Sequence, residues 1–302
     1  MKKFLYLVHG ADTLIRNYDH LRDRKDAGLI QSTYNAPAEG AHYFQGSTWA
    51  EGRNGLLEKA MELQEDYEYY IFMDDDVEFQ KGGYDELEKQ LMKLKPAVAV
   101  PVFVPKTSHT VLSIGTSYFK PGYFPLKPFQ VCKFADGQVM AFHKDVIADK
   151  LLMPLINRFD DISWWYTSST QQILMHNLYP HHTLQLNTVA VTNESHRDYT
   201  RKSFKKKQDS WFNNQFKEPI SNPRTFAVNL LSIQGLRYML GNYSFEEYPS
   251  IIRVFLSTIW RSLTYSKNES YRLNKHEIES TFREGSELYD RYFEENNVKT
   301  IT

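Results

Sequence analysis

Asp74, Asp75 and Asp76 stand side by side at the end of a short apolar and aromatic run, Tyr69 to Met73. Ionised carboxylates crowded against a buried strand repel one another and are costly to desolvate. A hard divalent cation that takes oxygen ligands, Mn2+ or Mg2+, would compensate that cost. Alternate side chains of an extended chain point the same way, so Asp74 and Asp76 can face one ion while Asp75 points elsewhere. A solvated acidic turn is the plainer use of the same residues. Upstream, Arg53 and Asn54 precede a helical pattern over Leu56 to Gln64. At a helix start, free backbone N–H groups and the helix dipole favour a phosphate, and an arginine fork suits a diphosphate. The alternative there is a cap by Asn54 and a surface Arg53. Downstream, Asp160 and Asp161 are followed by Trp164, Trp165 and Tyr166. A carboxylate beside such rings has the raised pKa of a general base, and the rings suit a sugar face; a helix cap is the common alternative. His196 and the basic run Arg201 to Lys207 complete the polar groups of interest. The run reads as a solvated face, or as positive charge for a diphosphate or anionic lipid.

The elements that must position these groups alternate between strand and helix. Phe4 to Val8 reads as a buried strand, Thr13 to Lys25 as a helix and Gly28 to Tyr34 as a second strand, the opening of a parallel α/β sheet. Further strands are expected over Tyr69–Met73, Val98–Val104 and Leu184–Val191, with helices over Asp85–Leu94 and near Lys144–Leu152. Ligands of such sheets bind beyond the carboxyl ends of the strands, where His9, Asp12, Tyr34 and Asn35 fall within reach of a base or ribose. Each of these is also an ordinary turn residue. Beyond Trp211 only helical stripes remain, such as Ile251, Ile252, Phe255, Ile259, Trp260 and Leu263. They read as packing against the core or a second copy of the chain, with a membrane-surface helix as the lesser option.

Bulk composition narrows the classes. A net charge of -1 argues against a dedicated nucleic-acid binder. Cys132 is the single cysteine, so neither an intrachain disulfide nor a cysteine zinc cluster is available, and a reducing compartment is expected. The apolar run after Lys3 is too short for a signal peptide, and Ala97 to Val104 is far below membrane-spanning length. The expectation is a soluble cytoplasmic protein, with peripheral contact at the inner face of the membrane through residues 197–207 or the C-terminal helices.

Taken together, Gly52-Arg53-Asn54-Gly55, the helix to Ala60, and Ile71-Phe72-Met73-Asp74-Asp75-Asp76 resemble a nucleotide-sugar glycosyltransferase of the A-type (GT-A) fold. The pattern is similar to the large inverting family 2-like group with an Asp-x-Asp motif. It resumes at Ala135-Asp136-Gly137-Gln138 with Ala141-Phe142, at Asp160-Asp161 and at His196, and covers residues 1–200. The pair reads Asp-Asp where the family has Glu-Asp, and lies farther from its helix. The resemblance implies a Rossmann-like α/β fold with a mixed, mostly parallel sheet. It divides the chain into a catalytic domain, 1–212, and a helical extension, 213–302; the nucleotide-sugar half of the former is about 1–105 and the acceptor half about 106–212. It implies transfer from a nucleoside-diphosphate sugar, a UDP-sugar first, to a hydroxyl of a glycan or lipid-linked glycan with inversion. Asp74, Asp76 and His196 would hold Mn2+ or Mg2+, and Asp160 or Asp161 would be the base. His9, Arg53, Asn54, Asp74, Asp75 and Asp136 would line the nucleotide. A homo-oligomer fits the pattern too. Two other classes use the same residues: a metal-dependent hydrolase or phosphoryl-transfer enzyme, and a non-catalytic carbohydrate-binding protein built on Trp164, Trp165 and Tyr166.

Overall fold

The computed structural model describes residues 2–63, 65–104, 128–131, 137–148, 152–155, 157, 167–168, 171, 175, 179, 181–193 and 260–265. Asp136, Asp160, Asp161, His196, residues 197–207 and most of the C-terminal extension lie outside them.

Among the described residues, nine strands form one sheet: β1 (Phe4–Gly10), β2 (Ala27–Thr33), β3 (His42–Tyr43), β4 (Tyr69–Asp74), β5 (Val77–Lys81), β6 (Val98–Phe103), β7 (Phe129–Val131), β8 (Val139–His143) and β9 (Thr183–Asn193). Their order is β3-β2-β1-β4-β8-β6-β9-β5, with β7 also paired to β9. β1, β2, β3, β4, β6 and β9 run one way, and β5, β7 and β8 run against them. The chain thus has a mixed, mostly parallel sheet flanked by helices. No described helix is long and apolar enough to cross a membrane.

Strand alternation sorts side chains onto two apolar layers. Leu5, Leu7, Tyr70 and Phe72 face α2 (Trp49–Glu62), which covers them with Ala50, Leu56, Leu57 and Ala60. Phe4, Tyr6, Val8, Tyr69, Ile71 and Met73 face the other way, against Leu87, Leu91 and Leu94 of α3 (Gly83–Leu94). α1 (Asp12–Ile15) joins that second layer, and α4 (Lys144–Ala148) follows β8.

Two helices depart from the expected bounds. The helix expected over Thr13–Lys25 is one α-turn, α1, that continues as a 3-10 helix over Arg16–Leu21. Its buried residues Ile15, Tyr18 and Leu21 recur every third position, and three residues per turn is the period that stacks them on one line. α2 begins at Trp49, not at Leu56. Thr48 and Glu51 close a reciprocal capping box, with Thr48 Oγ1 accepting from Glu51 N at 3.2 Å and Glu51 Oε2 accepting from Thr48 N at 2.9 Å. Arg53 and Asn54 therefore sit inside the helix, away from its free N–H groups. β3, β5, β7 and β8 were not foreseen as strands.

The connection from β4 to β5 governs the shape of the sheet. In the strand order β5 lies four positions from β4, about 19 Å away if the sheet were flat. Asp75 and Asp76 alone join the two, and three Cα steps reach only about 10 Å. The sheet must curl so that its far edge returns over the end of β4. β9 makes this possible: its register against β6 shifts between Pro101, opposite Leu186, and Val102, opposite Ala190. That irregularity re-aims the last part of β9, which carries β5.

Gly82, between β5 and α3, fixes the exit from this curl. Its φ is +83°, and a Cβ there would lie 2.5 Å from the backbone oxygen of Thr188. At Gly46 φ is +64° with open space around it. Urea denaturation is expected to show Gly46→Ala costing about 1 kcal/mol of backbone strain and Gly82→Ala at least twice that.

Candidate functional site

Sheet register builds the site before any loop contributes. Ser32 of β2, His9 of β1 and Asp74 of β4 are successive partners across three strands. The row continues to Gln138, the residue before β8, whose carbonyl accepts from Asp74 N at 3.0 Å. His9 and Asp74 share the strand face of Leu7 and Phe72, so both point under α2. His9 Nδ1 and Ser32 Oγ are 2.9 Å apart. The imidazole is pressed against Gly52, where a Cβ would come within 2.2 Å of the ring. Burial, with the Arg53 charge second, lowers its pKa to about 4, so His9 is neutral at physiological pH.

Arg53 is the electrostatic centre of this row. It is 1% exposed, and its Nη2 donates to Asp74 Oδ1 at 2.7 Å and to the carbonyl of Gly137 at 2.6 Å. Trp49 Nε1 donates to the same Asp74 oxygen at 3.0 Å, while the guanidinium lies 4.0 Å from the Trp49 ring centroid. Arg53 Nε and Nη1 find no hydrogen-bond partner among the described residues. Burial still outweighs Arg53 at Asp74 and pushes its pKa up to about 6, with Asp76 adding repulsion. Both protein donors converge on Oδ1, which leaves Oδ2 as the oxygen of Asp74 that these two do not engage.

Asp75 turns back onto β1. Its Oδ2 accepts from Ala11 N at 2.5 Å, and Gly10 makes the approach possible: a Cβ there would sit 2.0 Å from Asp75 Cβ. Burial raises the Asp75 pKa to about 6. Asp76 is partly buried, and its charge repels both neighbours. On the exposed side, Asp12 N donates to Asn35 Oδ1 at 2.9 Å and Asn35 Nδ2 donates to Asp12 Oδ1 at 2.6 Å. This clip ties the end of β1 to the end of β2.

Asn54 neither caps a helix nor faces the acids. Its Nδ2 donates to Leu155 O at 2.9 Å and its Oδ1 accepts from Leu155 N at 2.6 Å, so it holds both main-chain polar groups of Leu155. The structure thus brings His9, Arg53, Asp74 and Asp75 together, with Asp76 on the same turn, and sends Asn54 elsewhere. Trp49 and Tyr18 were missed from sequence. The Thr48-x-x-Glu51 capping signature would have placed Trp49 on the helix four residues, one turn, before Arg53.

Among the described residues no group of three histidine, cysteine, aspartate or glutamate side chains converges to hold a metal ion. The donor set fits a cation of the Mg2+ or Mn2+ kind that takes one or two carboxylates and completes its shell with phosphate oxygens and water. Asp74 and Asp76 supply hard oxygen donors of that sort.

No family profile matches the chain, and no curated protein matches it. Among solved structures it is similar to TarS residues 1–349 from S. aureus in complex with UDP, at 12% identity over 90% of this chain and 94% of that chain, TM-score 0.43. It is also similar to GalNAc-T7 with UDP, GalNAc and Mn2+, at 10% identity over 64% of this chain and 44% of that one, TM-score 0.45. A197 from STIV is a third, at 13% identity over 64% and 85%, TM-score 0.36.

Two titrations follow from this geometry. Arg53→Met leaves Asp74 charged beneath α2, and chemical denaturation is expected to show a loss of about 3 kcal/mol at pH 8. Without Arg53 the carboxyl takes up a proton more readily, so the loss shrinks at pH 5. His9, with a folded pKa below its ordinary one, contributes stability that is present above pH 6.5 and lost as pH falls toward 4. The unsubstituted protein is expected to lose about 3 kcal/mol more over that window than His9→Gln does.

Proposed function

We propose that the protein is a metal-dependent GT-A glycosyltransferase that moves a sugar from a nucleoside-diphosphate donor, a UDP-sugar first, to a hydroxyl of a glycan or lipid-linked glycan. The observation that carries this reading is the placement of the three acids. Asp74 ends a central strand, Asp75 and Asp76 leave its carboxyl end as a two-residue link, and Arg53 and Trp49 take one oxygen of Asp74 from the covering helix. Ligands of open α/β sheets bind at such strand ends.

In this reading Asp74 Oδ2 and Asp76 would hold Mn2+ or Mg2+, with His196 completing the shell. The cation, when bound, neutralises charge developing on the departing nucleoside diphosphate. Arg53 keeps Asp74 Oδ1 engaged and adds positive potential under the site. The Asp12–Asn35 clip and the neutral His9 shape the nucleotide end. Asp160 or Asp161 accepts the proton of the acceptor hydroxyl as its oxygen attacks the anomeric carbon. The new glycosidic bond forms as the bond to diphosphate breaks, with inversion.

Thermal-shift measurements with UDP and Mn2+ near a hundredfold excess over Kd are expected to raise Tm by about 5 °C, and EDTA to reverse the rise. Asp76→Asn should abolish metal-dependent release of nucleoside diphosphate from nucleotide sugars. Undiminished transfer by that variant would sink the assignment.

A further inference from the structure

We propose that Tyr18 is a positioning residue of the donor site, its hydroxyl locking the turn Asp74–Val77 in the shape that receives the divalent cation. The proposal rests on the donor-site reading above. Tyr18 belongs to the 3-10 helix on the sheet face opposite α2, and its ring is 3% exposed within the layer that holds Val8, Met73 and Val77. Only the hydroxyl leaves that apolar layer. It accepts from Val77 N at 3.0 Å, donates to Val77 O at 3.0 Å and has Asp74 O within 3.1 Å. The contacted groups are the last residue of β4 and the first of β5.

One phenol therefore bridges the two parts of the sheet at the point where they are joined by Asp75 and Asp76 alone. Three carboxylates within three residues repel one another and favour opening of that link. The hydroxyl counters this through the backbone, without using any carboxylate oxygen that a cation would need. A phenol can do this only while protonated, because it donates and accepts together. Burial and the neighbouring acids keep it so, raising its pKa well above the ordinary value. Outer-shell partners that fix the ligand-bearing backbone commonly tune metal affinity by an order of magnitude or more.

The test compares Tyr18→Phe with Ile15→Val, measuring Mn2+ binding by electron paramagnetic resonance titration in the presence of UDP. Ile15 is buried in the same layer, and loss of one methylene there costs stability comparable to loss of a hydroxyl hydrogen bond. Tyr18→Phe keeps the ring, and urea denaturation of both variants confirms that the stability losses match. The expected result is a Kd for Mn2+ raised about tenfold in Tyr18→Phe and unchanged in Ile15→Val. An unchanged Kd in Tyr18→Phe, or an equal rise in both variants, would overturn the positioning role. Absence of Mn2+ binding by the unsubstituted protein with UDP overturns the donor-site reading itself and the proposal with it.

Discussion

The shortness of the link between β4 and β5 is the constraint on which the rest of the structure depends. A flat sheet cannot satisfy it, because two residues do not reach across four strand spacings. The sheet curls, β9 bends through a register shift to carry β5 back, and Gly82 takes a backbone conformation that leaves room for the Thr188 carbonyl. Asp75 and Asp76 are the link itself, and Asp74 ends the strand that leads into it. Their placement is thus fixed by the closure of the whole sheet rather than by the local preferences of an Asp-Asp-Asp run.

The two faces of the sheet divide the work at this link. On the α2 face, the buried Ser32 and His9 and the partly buried Asp74 form a polar row, and Gly52 lets the helix come down onto it. Arg53 meets the row's terminal acid, and Trp49 shields the pair. On the other face the Tyr18 ring lies in an apolar layer, and its hydroxyl handles backbone groups and leaves the carboxylates alone. The Asp74 side chain is thus set from one side and its backbone carbonyl from the other.

The strand-helix alternation was legible because apolar runs such as Phe4–Val8 and Tyr69–Met73 are unambiguous, and their observed bounds differ by only a residue or two at the carboxyl end. The acid cluster was legible as a strand end for the same reason. The start of α2 was not, because Gly52 and Gly55 read as loop residues. Their absent side chains serve contacts distant in sequence: Gly52 admits the His9 ring and Gly55 the Phe44 ring, where a Cβ would lie 2.7 Å away. Nor could sequence show that Asn54 binds the main chain of a residue 101 positions away, or that Arg53 is buried. Those are properties of tertiary packing, and only the capping pair at Thr48 and Glu51 hinted at them. The 3-10 helix was legible in principle, since Ile15, Tyr18 and Leu21 keep a strict period of three that an α-helix does not hold on one face.

Charge accounts for why so much structure surrounds a short turn. Asp74, Asp75 and Asp76 bring three negative charges to a strand end where burial has already raised the pKa of the first two to about 6. Arg53 offsets one of them and does so from a fixed, buried position. Asp75 is offset differently, by a backbone amide at Ala11, at the expense of any side chain at residue 10. The turn that carries all three acids is held in place by covalent geometry, by Tyr18 on its backbone and by Arg53 on the Asp74 side chain. A turn restrained in this way cannot relieve its repulsion by moving apart. It can relieve it by taking up protons as pH falls through about 6, or by taking up a cation at higher pH. In the proposed function, that competition is the basis on which the acid link would take up a divalent cation.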